Sequence, residues 1–266
     1  MAPIDYRTQT ALITGASSGI GAECARQLAQ RGAALVLVAR RESKLKDLAG
    51  ELHSRFGVSV TVIPADLGAP DASTQLAHEV ARLGLTVTTL INNAGFGTYG
   101  PFADEDPERI AAEVRLNVEA VVTVTRAFLP QLLAAGSGAL VNVASTAAYQ
   151  PVPRMAVYGA TKAFVRSFTE ALWQETKGSG LRVTTLSPGS TQTEFFDVVG
   201  TKEAGVGNFQ TSEHVVRTLL STLDRRNPPP DVILGSSNKL NVFASRFLPR
   251  RLLISTTAKI MQPKEA

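Results

Sequence analysis

Thr14-Gly15-Ala16-Ser17-Ser18-Gly19-Ile20-Gly21 follows a short apolar run, Ala11–Thr14, and opens a stretch of helical period, Gly19–Arg31. A loop that closely approaches a diphosphate needs residues without a Cβ, N–H donors and the positive end of a helix. Gly15, Gly19 and Gly21 supply the first, and the helix start at Gly19-Ile20 supplies the others. The hydroxyls of Thr14, Ser17 and Ser18 add donors or tie the loop down. The spacing is Gly-x-x-x-Gly-x-Gly, not the commoner Gly-x-Gly-x-x-Gly. A glycine cluster alone also fits an ordinary tight turn, so the strand before and the helix after it favour a phosphate loop.

Outward from this loop the chain alternates short apolar runs with longer helical patterns. Ala11–Thr14, Ala34–Ala39, Ser59–Pro64, Thr89–Asn92, Ala139–Ala144, Arg182–Ser187 and Val232–Leu234 read as strands. They are continuous rather than alternating, as strands buried on both faces are. Gly19–Arg31, Glu42–Phe56, Asp71–Leu83, Pro107–Ala135, Met155–Lys177 and Ser212–Arg225 read as helices, Asp106-Pro107 being a cap followed by an early proline. Sustained strand–helix alternation predicts an α/β fold: a single-domain doubly wound parallel sheet (Rossmann fold), helices on both faces. The domain is expected over residues 7–235. Residues 236–266 form a short helical C-terminal extension, with helix candidates Lys239–Phe247 and Arg251–Met261 broken at Pro249.

Composition bounds the function. Of 266 residues, 44% are hydrophobic and 19% charged, which suits a soluble globule and not a disordered chain. The lone cysteine, Cys24, excludes an internal disulfide. His53, His78 and His214 lack ligand spacing, so no metal site is expected. The formal charge is +4 and the basic residues form no stripe outside the short tail, so a nucleic-acid partner is not expected. Met1 to Thr10 is polar and mixed, unlike a secretory signal. No run approaches the roughly 18 apolar residues of a membrane span. A cytoplasmic location is expected, with peripheral membrane contact through the basic extension as a weaker reading.

The end of the second strand reads Val38-Ala39-Arg40-Arg41-Glu42. In a Rossmann arrangement an acid there binds the ribose 2′-hydroxyl of NAD, whereas arginine accommodates a 2′-phosphate. Arg40 and Arg41 therefore predict NADP(H). They also fit solvated residues at a helix start, although cations there oppose the helix dipole.

With the glycine loop and Asn92-Asn93-Ala94-Gly95 after the fourth strand, the chain resembles the short-chain dehydrogenases/reductases over roughly Thr8 to Gly235. The resemblance implies that Asp66 and Leu67 lie beside the adenine and that Asn93, Ala94 and Gly95 line the cofactor and hold the central strand. It also implies that Pro188, Gly189 and Thr193 contact the nicotinamide amide.

Tyr158-Gly159-Ala160-Thr161-Lys162 lies near a helix start, and positions four apart share one helical face. A phenol titrates near 10, and an adjacent ammonium is expected to favour its ionised form. Ser145 ends the fifth strand, on the edge where ligands bind in open α/β sheets. The resemblance matches Asn117, Ser145, Tyr158 and Lys162 to a catalytic tetrad. Ser145 and Tyr158 would bind the substrate carbonyl and Tyr158 would donate its proton. Lys162 would bind the nicotinamide ribose, and Asn117 would hold a water linking Lys162 to solvent. Asn117 sits among Val114, Leu116, Val118 and Val121, which suggests burial.

Phe96, Tyr99, Phe102, Ala147, Gln150, Val152, Phe195 and Phe196 flank these motifs and are pocket or packing candidates. Glu194–Gln210, with three glycines, reads as a lid. The expected function is NADP(H)-dependent interconversion of a ketone or aldehyde and an alcohol, with an apolar carbonyl substrate. The alternative is a non-catalytic NADP-binding sensor or partner-binding protein on the same fold. By resemblance, the long helices from Pro107 and Met155 pair between subunits of a homodimer or homotetramer.

Overall fold

The computed structural model describes residues 3–262, so residues 263–266 of the expected extension lie outside the described residues. Seven parallel strands form the sheet: β1 Thr10–Thr14, β2 Ala34–Ala39, β3 Val60–Pro64, β4 Thr89–Asn92, β5 Ala139–Val143, β6 Arg182–Ser187 and, after a two-stranded flap (β7 and β8), β9 Asp231–Ile233. Their order is β3-β2-β1-β4-β5-β6-β9. Ile13 stands beside Leu37 on one neighbour and Ile91 on the other. The order reverses between β1 and β4, opening a crevice at the carboxyl ends of the strands.

Both faces of the sheet are covered, which explains why most strand positions are apolar; the buried polar ones include Asn92, Asn142 and four of the six residues of β6. On one face α1 (Gly19–Gln30), α2 (Glu42–Phe56) and α8 (Ser212–Leu223) bury Leu28, Leu45, Leu52, Val215 and Leu219. On the other α3 (Ala72–Arg82), α5 (Ala120–Ala135) and α6 (Ala156–Glu175) bury Leu76, Val124, Phe128, Leu132 and Leu172. The predicted strands and helices of the sheet domain agree with these bounds to within a residue or two.

Two features differ from the sequence reading. The helix expected over Pro107–Ala135 is α4 (Pro107–Val114), one π-helical turn (Arg115–Glu119) and then α5. Its start follows the expected chemistry, with Asp106 accepting a hydrogen bond from the Glu108 N–H at 2.9 Å and Pro107 in the first turn. By length and composition it could cross a membrane. Its apolar face instead packs on the sheet through Val124, Phe128 and Leu132. The second difference is that the expected lid is a structured flap. β7 (Thr191–Gln192) pairs in parallel with β8 (Gln210–Thr211), closing a segment that holds α7 (Phe195–Val199) and a 3-10 turn. The extension forms α9 (Ser236–Ser245) and α10 (Arg250–Ile260), and it packs on the chain's own core. Met261 joins Val152 and Met155, and its carbonyl accepts from the Tyr99 hydroxyl at 2.7 Å.

Candidate active site

The loop after β1 turns left-handed at Gly15 (φ +65°) and Gly19 (φ +55°), conformations that cost an L side chain about 1–2 kcal/mol. A Cβ on Gly21 would come within 2.4 Å of the Gly15 carbonyl oxygen and 2.5 Å of Asn93 Nδ2. The glycines thus let the loop, the helix and the β4 turn approach one another. Thr14 and Asn93 lock them together. Thr14 Oγ1 accepts from the Asn93 and Ala94 N–H groups at 2.9 and 3.0 Å, and Asn93 Nδ2 donates to the Thr14 carbonyl at 3.0 Å. These two side chains tie the loop down instead of presenting free donors.

Every strand from β1 to β6 sends a predicted residue to one cleft of about 640 Å³. Gly15, Ser17, Ser18, Gly19 and Ile20 line it after β1, Arg40 and Arg41 after β2, and Asp66 and Leu67 after β3. Asn93, Ala94 and Gly95 follow β4, Ser145 follows β5, and Pro188, Gly189 and Thr193 follow β6, with Tyr158 and Lys162 reaching in from α6. A Cβ-free cradle, the start of α1 and two guanidiniums at one end of this cleft fit a phosphorylated dinucleotide.

Arg41 is engaged across the cleft. It donates to Ser17 Oγ and Ser18 Oγ at 2.9 Å each and to Glu194 Oε2 at 2.7 Å, while Lys44 donates to Glu194 Oε1 at 2.7 Å. Lys44 and Arg41 together hold the Glu194 carboxyl down at about 2. Glu194 is a site residue that the sequence reading placed only at the edge of a lid.

At the other end, Ser145 caps a 3-10 turn (Thr146–Tyr149), its Oγ accepting from the Ala147 N–H at 3.1 Å. A buried amide–hydroxyl chain ties the supporting elements together. Asn92 donates to Thr125 and to Asn142, both at 2.9 Å, and Asn142 donates to Thr169 at 2.8 Å. Lys162 is 5% exposed; its Nζ donates to the Val143 carbonyl at 2.8 Å and lies 5.7 Å from the Tyr158 ring centroid. Gly95 and Gly97 let the β4 loop cross this pair. A Cβ on Gly95 would sit 2.8 Å from Asn117 Oδ1 and 3.4 Å from Lys162 Nζ, and one on Gly97 2.9 Å from the Tyr158 ring.

Lys162 does not set the titration of Tyr158 in the way its spacing suggested. Burial pushes the phenol up to about 12, with a contact from the Ser145 hydroxyl pulling it back. Burial also pulls Lys162 down to about 8. Desolvation disfavours the charged form of both groups; the Glu113 carboxyl adds to the rise of Tyr158 and offsets part of the fall of Lys162.

Asn117 is fully buried in the π-helical turn, but its side chain stands behind the cleft wall and not at its surface. Oδ1 accepts from the Phe96 N–H at 3.1 Å, while Nδ2 donates to the Phe96 carbonyl at 2.8 Å and Thr161 Oγ1 at 3.1 Å. Both ends of the amide are thus committed to the β4 loop and α6. One turn earlier lies Glu113, which sequence reasoning missed. It is fully buried, neither oxygen makes a hydrogen bond of good geometry, and burial pushes its carboxyl up to about 7, with the nearby Thr98 hydroxyl and N–H, and to a lesser extent Lys162, offsetting part of the effect.

Of the eight pocket candidates, Phe96, Ala147, Gln150, Val152, Phe195 and Phe196 line the cleft, whereas Tyr99 and Phe102 do not. Tyr99 is taken up by Met261, and Phe102 is 63% exposed. An aromatic chain runs from Tyr158 through Phe195 and Phe196 to Phe209, with ring centroids 5.3, 5.4 and 4.9 Å apart. The extension supplies the remaining wall through Val242, Leu248, Leu253 and Ile260.

The chain belongs to the short-chain dehydrogenase family, whose sequence pattern matches residues 9–204. It is an oxidoreductase of that family, acting on CH–OH/C=O groups. It is 41% identical over 186 residues to sulfoacetaldehyde reductase 2 of Chromohalobacter salexigens, covering 69% of this chain and 73% of that one. A short-chain dehydrogenase from Sphingobium yanoikuyae, solved in complex with NADPH, superposes with a TM-score of 0.80 at 34% identity, covering 93% of this chain and 95% of that one. The bulky-bulky ketone specific alcohol dehydrogenase from Comamonas testosteroni does so with a TM-score of 0.76 at 31% identity, covering 94% of each chain.

Proposed function

We propose that this protein is an NADP(H)-dependent reductase of an apolar ketone or aldehyde, with Tyr158 as the proton donor. The reading is carried by one observation: the phosphate cradle and the Ser145–Tyr158–Lys162 group border the same cleft, and its far end is walled by apolar side chains. NADPH in the Sphingobium structure and the bulky ketones of the Comamonas enzyme support the cofactor and the substrate class.

In this reading the glycine loop receives the pyrophosphate, Arg40 and Arg41 the 2′-phosphate, and Asp66 and Leu67 the adenine end. Ala94, Gly95, Pro188, Gly189 and Thr193 flank the nicotinamide end, with Lys162 on its ribose. When bound, the cofactor supplies or accepts a hydride at the substrate carbon. Ser145 and Tyr158 hydrogen-bond the substrate oxygen. As hydride reaches the carbon, Tyr158 gives its proton to that oxygen, and a phenol held up at about 12 starts the step protonated. The buried Lys162 ammonium stabilises the phenolate left behind. Asn117 acts as a positioning residue, setting the β4 loop against α6.

Assembly through the long helices is also proposed. Val114, Val118, Val157 and Ala160 border an apolar hollow on the outer face of α4 and α6, and Val114 and Phe164 are exposed there. A cytoplasmic location completes the proposal. The test is Tyr158→Phe, assayed by NADPH consumption across aliphatic, aromatic and steroid ketones. Turnover is expected to fall at least a hundredfold with NADPH binding retained. Near-normal turnover would refute the assignment.

A further inference from the structure

Helix α9 is amphipathic the wrong way round for a helix of a soluble surface. Leu240, Phe243 and Ala244 recur at i, i+3 and i+4 and so share one face of α9, with Ala244 at its border with the cleft, and Phe247 continues that spacing just past the helix end. That face points outward: Leu240 is 66%, Phe243 59% and Phe247 74% exposed, while Val242 on the opposite side is buried. The two phenyl rings touch edge-on, with centroids 5.1 Å apart. Leu248, between the two helices, and Leu252 on α10 are exposed as well, while Ile254 and Ile260 are exposed on other sides of α10. Seven of the fifteen exposed large apolar residues among the described residues lie in this stretch of 31, from Val232 to Gln262. Singly exposed apolar residues need no explanation, but a contiguous patch does.

The charge of the same stretch is one-sided. Val232 to Gln262 contains Lys239, Arg246, Arg250, Arg251 and Lys259 and no aspartate or glutamate. Among the described residues none of the five is in an ion pair. Arg246 alone faces an acid, Asp231, which precedes the stretch. Lys239 and Arg246 lie along the flank of the α9 apolar stripe, where long side chains reach past apolar surface to charge. Two helices of ten and eleven residues are too short to span a bilayer and suit its plane.

We infer that the outer face of α9 and α10 is a docking surface for an anionic lipid bilayer, with the phenyl rings in the acyl boundary and the cations among the headgroups. A second copy of the chain on this face would bring together two patches whose five cations have only Asp231 facing one of them, and they repel. A neutral apolar partner would leave the five cations without a function. The cleft lies directly beneath this face, since Leu248 is both exposed and part of its lining. This inference does not rest on the proposed reaction.

The full chain is sedimented with vesicles of phosphatidylcholine alone and with phosphatidylglycerol added. Binding is expected only to the anionic vesicles and is expected to weaken as salt is raised, because exposed charges are screened within about 10 Å at 0.1 M. Arg250→Gln/Arg251→Gln should weaken it on the order of twentyfold, at roughly fivefold per cation. Phe243→Ser/Phe247→Ser, with unchanged circular dichroism, should abolish it. Wild-type protein that stays in the supernatant with anionic vesicles at low salt overturns the inference. So does a dimer in gel filtration that the phenylalanine variant dissociates, because the face then belongs to a second copy.

Discussion

Glu113 allows a test of the site's electrostatics that needs no substrate. Its carboxyl is fully buried on α4, makes no hydrogen bond of good geometry, and is held up at about 7 against an ordinary value of 4.5, with Thr98 and Lys162 offsetting only part of the burial. The folded protein therefore binds this proton more tightly than the unfolded chain does. Between pH 4.5 and 7 the native state carries the proton while the unfolded state loses it, so stability falls as pH rises through that window. Each pH unit is worth about 1.4 kcal/mol, so the ionised carboxyl costs about 3 kcal/mol well above pH 7 and nothing below 4.5.

Glu113→Gln keeps the shape and removes the titration. The glutamine amide meets the same poorly partnered surroundings, Thr98 among them, which sets a constant offset, so only the pH dependence of the difference is diagnostic. Urea unfolding of both proteins at intervals from about pH 5 to 8.5 should show the variant gaining on the wild type by about 3 kcal/mol toward the alkaline end. Parallel stability profiles over that range would refute the reasoning. They would mean that Glu113 is either solvated or paired with a cation in solution.

Two further outcomes follow from the cofactor end of the cleft. Gly21→Ala puts a methyl group 2.4 Å from a backbone oxygen, so NADPH affinity measured by fluorescence titration should fall at least tenfold with the fold intact; unchanged affinity would remove the cradle from the site. Arg40→Asp places an acid beside the proposed 2′-phosphate and should shift the ratio of kcat/KM for NADPH over NADH at least tenfold toward NADH. An unmoved ratio would sink the two-arginine reasoning.

The sheet was legible because strands covered on both faces read as short continuous runs without polar alternation, even where buried polar residues enter, as in β6. Ala34–Ala39, Thr89–Asn92 and Arg182–Ser187 match the observed bounds residue for residue. The pairing of Thr191-Gln192 with Gln210-Thr211 was not legible, because two residues carry no periodicity. Nor was the π-helical turn, since the residues of Arg115–Glu119 do not reveal hydrogen bonds reaching five residues along. Glu113 escaped notice for a related reason. A charged residue in a helical pattern reads as solvated unless its face is known, and only its spacing of four from a buried Asn117 hints otherwise. Glu194 was hidden because its partners, Arg41 and Lys44, are about 150 residues away in sequence.

The Tyr158–Lys162 pair shows where local spacing stops being informative. Four residues on a helix bring phenol and ammonium to one face, and Coulomb attraction alone then favours phenolate beside ammonium. The attraction is strengthened by the same exclusion of water that penalises each charge, so the direction of the net shift in the folded protein is set by burial. Here the glycines of the β4 loop let backbone close over both groups, and Lys162 spends its hydrogen bond on the Val143 carbonyl. The phenol therefore holds its proton more firmly than in water, and the ammonium holds its own less firmly. That poise suits donation: a neutral phenol gives up its proton when negative charge develops on a nearby oxygen, and the adjoining cation makes that transfer easier than it would be elsewhere in the core.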